Sequence, residues 1–313
     1  MKSRLFIACW KAIVLIGLIV TVGCSGFSSG QGGVSPATAK RGVTPPGQGG
    51  TTVPRPDHVV MVIEENHDFS EIIGSSSAPY INALASQGAT LTNSHAITHP
   101  SEPNYLALFA GSTFGLSDDS CPNRFTSANL AQELIKARGS FGGYSEDLPS
   151  VGYTGCSASD YARKHNPWVN FTNVPLSVNM PLTKFPTNPT DYHLLPTISI
   201  VVPNLQDDMH DGSIGQGDTW LRSHIDSYVR WAKTNNSLLI VTWDEDDNSN
   251  ANQIPTIFLG PMVKPGKYGE KINHYNVLRT LETMYNLAPL ANSATATPIT
   301  DIWQPIRSPV LPS

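Results

Sequence analysis

A run of apolar residues at positions 237–243 constrains the fold of this chain more than any other feature. It reads Ser-Leu-Leu-Ile-Val-Thr-Trp and leads directly into the acidic residues 244–247. Continuous β-branched runs of this length are typical of strands buried on both faces of a parallel sheet. Residues 58–63 show the same pattern and are followed by a Glu-Glu-Asn sequence. Because parallel strands need long crossovers, the chain is predicted to alternate strands with helices.

Helical segments separate the predicted strands. Strands are predicted over residues 58–63, 89–93, 141–144, 197–202, 237–243 and 254–259. Helices are predicted over residues 79–87, 128–137, 218–233 and 277–286, the third of them capped by Asp218. This alternation predicts an α/β fold with a doubly wound, mostly parallel sheet and helices on both faces.

The ends of the chain are predicted to lie outside this fold. Residues 1–24 have the pattern of an export signal, because a basic start precedes an apolar core too short to span a bilayer. The Thr-Val-Gly-Cys sequence that ends at Cys24 resembles a bacterial lipobox, so the exported chain is either secreted or anchored to the cell surface through Cys24. The predicted segments are a signal peptide at 1–24, a disordered Gly/Pro/Ser-rich linker at 25–56, a folded domain at 57–305 and a tail at 306–313.

Cysteine use and charge narrow the classes of function. Outside the leader and Cys24, the chain has Cys121 and Cys156, and two cysteines in an oxidising compartment usually pair. A Cys121–Cys156 disulfide is therefore predicted. The formal net charge of −5 and the lack of an extended basic patch exclude general nucleic-acid binding. We expect a monomer.

The segment 98–105 places a serine between two prolines. Because proline does not suit a helix interior, we expect a stiff loop that delivers Ser101 to a helix beginning near Pro103 or Asn104. A helix N-terminus presents free N–H groups and partial positive charge, which favour phosphate. Ser101 is then either a helix cap or a nucleophile, and these residues alone leave both roles open.

Acidic and amide side chains follow two of the predicted strands. Glu65 and Asn66 come after the first strand, and Asp244 and Glu245 after the strand at 237–243. Because the carboxyl ends of parallel strands lie at one edge of a sheet, we expect these side chains to converge. Adjacent carboxylates repel one another, and a bound cation would hold them together. The alternative is a solvated acidic turn.

Two further segments offer polar side chains. His210 lies in an acid-rich sequence after the strand at 197–202 and is a candidate ligand or proton donor. Arg163, Lys164 and His165 form a local cationic cluster, suited to contact a phosphate or a lipid head group. The alternative for this cluster is a solvated surface loop.

The order of these motifs resembles the bacterial phosphoesterase family of acid phosphatases and phospholipases C, within the alkaline-phosphatase-like superfamily. The resemblance extends over residues 58–303 and rests on residues 65–66, 98–105, 210–212, 218–221, 244–245 and 274–275. Residues 161–171 and 235–247 are similar to secreted mycobacterial acid phosphatases that hydrolyse phosphatidylinositol 3-phosphate.

The resemblance implies an alkaline-phosphatase-like fold and a role for each site residue. Ser101 would be the nucleophile and His210 the proton donor. Substrate would be bound by Asn66, Asn104, Arg163, Lys164 and His165. One divalent metal ion would be bound by Glu65, Asn66, Asp244, Glu245 and His274. A single ion is expected because superfamily members with two metals usually have aspartate and histidine where this chain has Glu65 and Glu245.

The implied function is a secreted or lipid-anchored acid phosphatase. It would hydrolyse phosphate monoesters through a phosphoserine intermediate, including phosphatidylinositol 3-phosphate in a membrane. A phospholipase C-type phosphodiesterase with the same nucleophile is one alternative. A lipid-tethered binding protein that keeps the metal site without turnover is another.

Overall fold

The computed structural model describes residues 53–249 and 251–304. The predicted signal peptide, the Cys24 anchor and the predicted tail lie outside the described residues, as does most of the predicted linker. The strands are β1 (His58–Glu64), β2 (Ala89–Leu91), β3 (Ser94–His95), β4 (Phe141–Ser145), β5 (Ser157–Ala158), β6 (Tyr161–Ala162), β7 (Asn179–Pro181), β8 (Ile198–Val202), β9 (Ser237–Trp243), β10 (Thr256–Leu259), β11 (Gly266–Tyr268) and β12 (Ile272–Asn273).

In the part of the chain that the structure describes, six α-helices and several short 3-10 turns connect these strands. The helices are α1 (Phe69–Ile72), α2 (Pro79–Gln87), α3 (Ser101–Ala110), α4 (Leu130–Lys136), α5 (Ile214–Ala232) and α6 (His274–Tyr285). The 3-10 turns are Arg163–His165, Pro167–Asn170, Leu176–Val178, Leu182–Lys184, Pro189–Leu194 and Ala291–Thr295. Within the described ranges, no helix has the length and apolar character needed to cross a membrane.

The main sheet has eight strands in the order β11-β2-β10-β9-β1-β8-β4-β7. β1 pairs in parallel with β9 and β8, and β4 and β7 extend the parallel part, whereas β10 runs antiparallel to β9 and β2. The mostly parallel sheet predicted from the sequence is confirmed. Because Glu64 pairs with Trp243, Glu65 and Asp244 are the next residues beyond the paired ends of β1 and β9.

Helices cover both faces of the sheet, as predicted. Successive residues of a strand point to opposite faces, so Met61 of β1 belongs to one apolar cluster and Val62 to another. The first cluster includes residues of α3, α4 and α6, and the second includes residues of α2 and α5. Burial on both faces explains why β1 and β9 are continuously apolar in sequence.

The longest helix, α5, begins earlier than predicted. Its N-cap is Ser213, so Asp218 lies inside the helix and does not cap it. The Asp218 carboxylate instead accepts hydrogen bonds from the backbone N–H groups of Tyr80 (3.1 Å) and Ile81 (2.8 Å) in the first turn of α2. The N-cap residue of α2, Ala78, makes no side-chain capping bond. Asp218 therefore caps α2 from a neighbouring helix.

The packed part of the chain includes residues before the predicted boundary at 57. Val53 packs against the first apolar cluster. The Arg55 guanidinium lies 5.5 Å from the centre of the Tyr285 ring, and the Tyr285 hydroxyl donates a hydrogen bond to the Pro56 carbonyl (3.0 Å). The last residues of the predicted linker are thus held against α6.

A disulfide joins two loops of the described chain. The predicted Cys121–Cys156 bond is confirmed, with the two Cα atoms 5.9 Å apart. It connects the segment between α3 and α4 to the loop before β5, and the Arg163 N–H donates to the Cys156 carbonyl (3.0 Å). The bond therefore fixes the segment that leads into the Arg163–His165 turn.

Candidate active site

Ser101 occupies the first turn of α3. The helix begins at Ser101 itself, with Pro100 as N-cap, and not at residues 103–104 as predicted. A proline in the third helical position is tolerated because the first N–H groups of a helix have no intrahelical partner. The buried Ser101 hydroxyl lies 3.1 Å from Glu65 Oε2 and 3.4 Å from Glu245 Oε1. The structure therefore brings the serine to the strand-end carboxylates.

Glu65 follows β1 and is completely buried. Its Oε1 accepts a hydrogen bond from the Tyr105 hydroxyl (2.6 Å), while its Oε2 faces Ser101. Ser101 and Tyr105 are one turn apart on the same helix face, so α3 presents both hydroxyls to one carboxylate. Burial, followed by the negative charges of Asp244 and Asp208, raises the pKa of Glu65 well above its ordinary value.

Asp244 and Glu245 follow β9. Asp244 Oδ1 accepts a hydrogen bond from the Glu245 N–H (2.7 Å), and its buried Oδ2 has no hydrogen-bond partner among the described residues. Burial raises the pKa of Asp244 to about 6. Burial, together with the charges of Asp244 and Asp119, raises the pKa of Glu245 to about 9. These carboxyls lack sufficient positive charge in the protein to stabilise them as anions.

The other two acidic residues of this run have different surroundings. Asp246 accepts hydrogen bonds from two backbone N–H groups of the following loop (2.8 Å each), and Asp247 is exposed. His99 connects two of the acids, with Nδ1 3.0 Å from Glu245 Oε2 and Nε2 3.1 Å from Asp246 Oδ1. Only Asp244 and Glu245 of this run therefore contact the Ser101 site in the described part of the chain.

The Arg163–His165 turn supplies a buried imidazole. His165 Nε2 lies 3.1 Å from Glu65 Oε1, and its Nδ1 lies 3.3 Å from Asp208 Oδ2. The ring also stacks on Tyr105, with centroids 5.0 Å apart. Burial, followed by nearby positive charge, holds the pKa of His165 well below its ordinary value, so the imidazole is neutral near pH 7.

Lys164 and His210 lie beside this imidazole. Lys164 Nζ is 3.1 Å from His210 Nε2 and 2.9 Å from Asp119 Oδ2. His210 Nδ1 is 2.7 Å from Asp211 Oδ1. Because an ammonium can only donate, His210 Nε2 is the acceptor, and its Nδ1–H donates to Asp211. Burial alone would lower the pKa of Lys164, but the contact with Asp119 and the nearby carboxylates raise it.

Glu65, His165 and His210 could together hold a cation. One ligand atom of each lies within 4.8 Å of the others. Carboxylate and imidazole ligands suit several divalent metals. Asp244 Oδ2 and His165 Nε2 are buried and make no hydrogen bond among the described residues, although His165 Nε2 lies 3.1 Å from Glu65 Oε1 and buried polar atoms normally make one. The residues present therefore fit a divalent cation, with both histidines in positions that the predicted ligand set does not include.

The two asparagines predicted to bind substrate differ in their contacts. Asn66 has a left-handed backbone (φ 53°), and its side-chain amide makes no hydrogen bond within the described ranges. The Asn104 side chain is buried, accepts from the N–H groups of residues 97 and 98, and donates to the carbonyls of residues 98 and 100 and to Glu245. Asn66 is therefore free to bind a ligand, whereas Asn104 holds the loop before Ser101.

Arg163 and His274 also differ from their predicted roles. The buried Arg163 guanidinium donates to the Thr154 carbonyl, to Asn170 Oδ1 and to other loop acceptors, so it braces loops and does not face Ser101. His274 Nε2 donates to the Asp244 carbonyl (2.6 Å), and burial lowers its pKa to about 4. That nitrogen is not free to bind a cation, and His274 instead positions the Asp244 backbone.

Sequence reasoning does not single out Tyr105, His99 or Asp208 as site residues. The four-residue spacing from Ser101 to Tyr105 is a signal that could identify the tyrosine, because such residues share a helix face. Asp208 lies in the acid-rich sequence before His210 but has no pattern of its own. Nothing in the sequence around His99 indicates that its ring contacts two distant carboxylates.

Comparison with known proteins places this geometry among phosphatases. The profile of the phosphoesterase family matches residues 75–288. The chain is 57% identical to a phosphatidylinositol-3-phosphatase of Mycobacterium tuberculosis, over 82% of this chain and 86% of that protein. An acid phosphatase of Aspergillus fumigatus is 32% identical over 72% of this chain, which spans about half (54%) of that longer protein.

The fold also matches a solved structure. A protein of the alkaline phosphatase superfamily from Vibrio parahaemolyticus superposes with a TM-score of 0.55 and 12% identity, covering 78% of this chain and 71% of that one. At this identity the match concerns the fold, which is the alkaline-phosphatase-like fold implied by the motifs. From the profile match and the similarity to the mycobacterial protein, the chain belongs to the phosphoesterase family.

Proposed function

We propose that this protein is a phosphoric monoester hydrolase of the acid phosphatase type that forms a phosphoserine at Ser101. The observation that carries the proposal is the 3.1 Å contact between Ser101 Oγ and Glu65 Oε2 at the first turn of a helix. The serine hydroxyl donates to this carboxylate, which is therefore in reach as a base, and the helix N-terminus favours a phosphoryl group. Phosphatidylinositol 3-phosphate is a proposed substrate because the 57% identical relative is a phosphatidylinositol-3-phosphatase.

One divalent metal ion is part of this proposal. Glu65 and His165 would hold it, together with Asp244 Oδ2, a buried acceptor that makes no hydrogen bond within the described chain. His210, the third residue of that cluster, is assigned to proton transfer instead. Asn66 and Glu245 remain proposed ligands from the family resemblance. When bound, such an ion screens the charge of the phosphate and lowers the pKa of a neighbouring hydroxyl.

The first chemical step transfers the phosphoryl group to the serine. Ser101 Oγ passes its proton to Glu65 Oε2 and forms a bond to phosphorus, while the bond from phosphorus to the leaving oxygen breaks. The α3 N-terminus and the free side-chain amide of Asn66 hold the other phosphate oxygens. His210 is the proposed proton donor to the leaving oxygen. The Lys164 ammonium, 3.1 Å from His210 Nε2, is the proton source on that side.

The second step releases phosphate. A water molecule gives a proton to the His210–Lys164 pair and attacks phosphorus from the side that the leaving group vacated. The Oγ–phosphorus bond breaks, and Glu65 returns its proton to Ser101. The enzyme regains its starting protonation state, and inorganic phosphate leaves.

We also propose that the chain is exported and acts at a membrane surface, either secreted or anchored through Cys24. The leader sequence supports export. The phosphoinositide named for the mycobacterial relative supports action on a membrane-bound substrate.

A phosphate-release assay tests the proposed function. The purified protein would be given soluble phosphate monoesters, phosphatidylinositol 3-phosphate vesicles and phosphatidylcholine vesicles, with and without chelator. Ser101→Ala should reduce phosphate release by about 10⁴-fold or more, as loss of a nucleophile does in other enzymes. Ser86→Ala, at an exposed position of α2, is the matched control and should keep full activity.

Three outcomes would contradict the proposal. Diacylglycerol release from phosphatidylcholine would indicate a phospholipase C. An absence of hydrolysis across the panel would indicate a binding protein. Full activity of Ser101→Ala would remove the nucleophile assignment whatever the substrate.

A further inference from the structure

Asp119 bridges two donors next to the proposed nucleophile. Its Oδ1 accepts a hydrogen bond from the Glu102 backbone N–H (2.9 Å), and its Oδ2 lies 2.9 Å from Lys164 Nζ. Glu102 directly follows Ser101 in the first turn of α3. The Asp119 carboxylate is therefore bound by two donors of the candidate site, the Glu102 N–H and the Lys164 ammonium.

These two donors are of the kind that binds phosphate. Helix N-terminal N–H groups donate to phosphate and carboxylate alike, and lysine ammonium groups bind phosphate as point charges. The same site contains two buried atoms that make no hydrogen bond in the described chain, Asp244 Oδ2 and His165 Nε2, the latter 3.1 Å from Glu65 Oε1, which indicates that a ligand completes it. A phosphoryl oxygen next to Ser101 would thus compete with Asp119 for both donors.

The negative charge of Asp119 also opposes phosphate binding. Asp119 is among the charges that raise the pKa of Glu245, so its field reaches the carboxyl beside Ser101. An incoming phosphate with two negative charges is repelled by Asp119, while Asp119 also neutralises Lys164. Removal of the Asp119 charge would both reduce this repulsion and release the ammonium.

Asp119 also has room to move. Its side chain is 28% exposed, in the loop between α3 and α4, whereas Glu65 and Asp208 are completely buried. A short rotation towards solvent would vacate the position without opening the core. The Cys121–Cys156 bond, two residues further on, keeps the loop close enough for the side chain to return.

We propose that Asp119 is an internal competitor of the substrate phosphate. It occupies the Glu102 amide and the Lys164 ammonium in the free enzyme, leaves when the phosphoryl group binds, and returns as inorganic phosphate departs. This inference rests on the proposed function, since it concerns phosphate binding at the same site. Its consequence is that Asp119 weakens binding of substrate and product and so favours product release.

Phosphate binding by the full chain tests the inference. Inorganic phosphate would be titrated calorimetrically into the metal-loaded wild type and into Asp119→Asn, which keeps an acceptor for the Glu102 N–H but loses the charge. Affinity for phosphate should rise about three- to tenfold, a typical effect of one charge-assisted contact. KM for a soluble monoester should fall by a similar factor. Asp119→Ala, which loses both the charge and the acceptor, should show the larger change.

Asp118→Asn is the matched control. It removes the same charge from the adjacent exposed residue, whose carboxylate accepts from the Ser120 N–H (3.1 Å). Phosphate affinity and KM should stay at wild-type values in this variant. A change equal to that of Asp119→Asn would mean that loop charge in general, and not the competing contact, determines affinity.

The opposite sign would overturn the inference. If phosphate binding weakens and KM rises in both Asp119 variants while their melting temperatures are unchanged, Asp119 positions Lys164 for the substrate and does not compete with it. Unchanged affinity would mean that Asp119 does not contact the phosphate position. If the wild type binds phosphate but hydrolyses nothing, the proposed function fails, while the binding comparison still tests Asp119.

Discussion

The acidic side of the candidate site and its basic side are built by different parts of the fold. Glu65 and Asp244 are the first residues beyond two paired central strands, and the Asp244 N–H continues the ladder by donating to the Glu64 carbonyl (3.0 Å). Lys164 and His165 come from a single 3-10 turn in a loop-rich region, and His210 comes from another loop. Sheet register therefore positions the carboxylates, whereas loops must position the positive charge and the imidazoles.

This difference predicts where each side is vulnerable. The strand-end acids rest on a backbone that forms with the core, so their substitution should affect chemistry more than stability. The loop side depends on two braces, the Cys121–Cys156 bond and the buried Arg163 guanidinium. Damage to those braces should reduce stability first.

The largest expected effect is on the acidic side. Asp244→Asn keeps the shape of the side chain but removes the charge from a buried oxygen without a partner in the described chain, so kcat/KM should fall by about 10³-fold. Urea unfolding should change little. Asp57→Asn, at an exposed position before β1, is the control and should behave as wild type in both assays. A variant that loses stability but keeps its activity would contradict the distinction between the two sides.

The next effect concerns the disulfide. Replacing both Cys121 and Cys156 by serine should lower the free energy of unfolding by about 3 kcal/mol, since the bond closes a loop across a sequence separation of 35 residues. Denaturant unfolding of the oxidised wild type and the double variant measures this. Addition of reductant should destabilise the wild type to the same extent and leave the double variant unchanged. If reductant has no effect on the wild type, the bond does not brace the loops.

Arg163 and Lys164 provide a test within one turn. Arg163→Met should lower the free energy of unfolding by about 2 kcal/mol, because it leaves buried loop acceptors unsatisfied, with KM nearly unchanged. Lys164→Met should instead raise KM and change stability less. Urea unfolding combined with steady-state kinetics on both variants gives the comparison. If Arg163→Met raises KM and Lys164→Met lowers stability, then Lys164 has the structural role and Arg163 binds the substrate.

The smallest expected effect is on the pH dependence of stability in the presence of chelator. Burial raises the pKa of Glu245 from 4.5 to about 9, so the folded state keeps a proton that the unfolded state has lost, and stability falls as pH rises through this range. The lowered pKa of His274, about 4, acts oppositely but only below pH 6.5. The melting temperature should therefore fall by a few degrees between pH 6.5 and 9.

Glu245→Gln is the matched variant for this measurement. It cannot titrate, so its melting temperature should vary less with pH over the same range. A wild-type melting temperature that rises from pH 6.5 to 9 would mean that the Glu245 carboxyl is stabilised as an anion in the folded state. The burial argument for the acidic side would then be wrong.

The same contrast explains what the sequence could predict. The apolar pattern identifies β1 and β9 almost to the residue, and the acids that follow them lie at one edge as the parallel arrangement requires. The orientation of Arg163 relative to Lys164 and His165 has no such signal. A three-residue turn has too little periodicity to indicate which neighbour faces the core and which faces the site. The three adjacent basic residues 163–165 therefore look alike in sequence, but Arg163 contacts loops whereas Lys164 and His165 contact the candidate site.

The start of α5 and the position of Asp218 follow the same reasoning. Gly215 and Gly217 have low helix propensity, so the sequence favours a later start and makes Asp218 look like a cap. Its carboxylate does cap a helix, but the partner N–H groups lie far earlier in the chain, at Tyr80 and Ile81 (separations of 138 and 137). Local propensity cannot report a hydrogen bond that only tertiary packing creates.

That contact between α2 and α5 has a consequence for dissecting the protein. A fragment that ended before residue 213 would contain α2 with the amides of its first turn unprotected, because Ala78 offers no substitute for the missing carboxylate. Separately expressed halves should therefore recover native structure only when mixed, because Asp218 in one half caps α2 in the other. Any shortened version of this protein has to retain both α2 and Asp218.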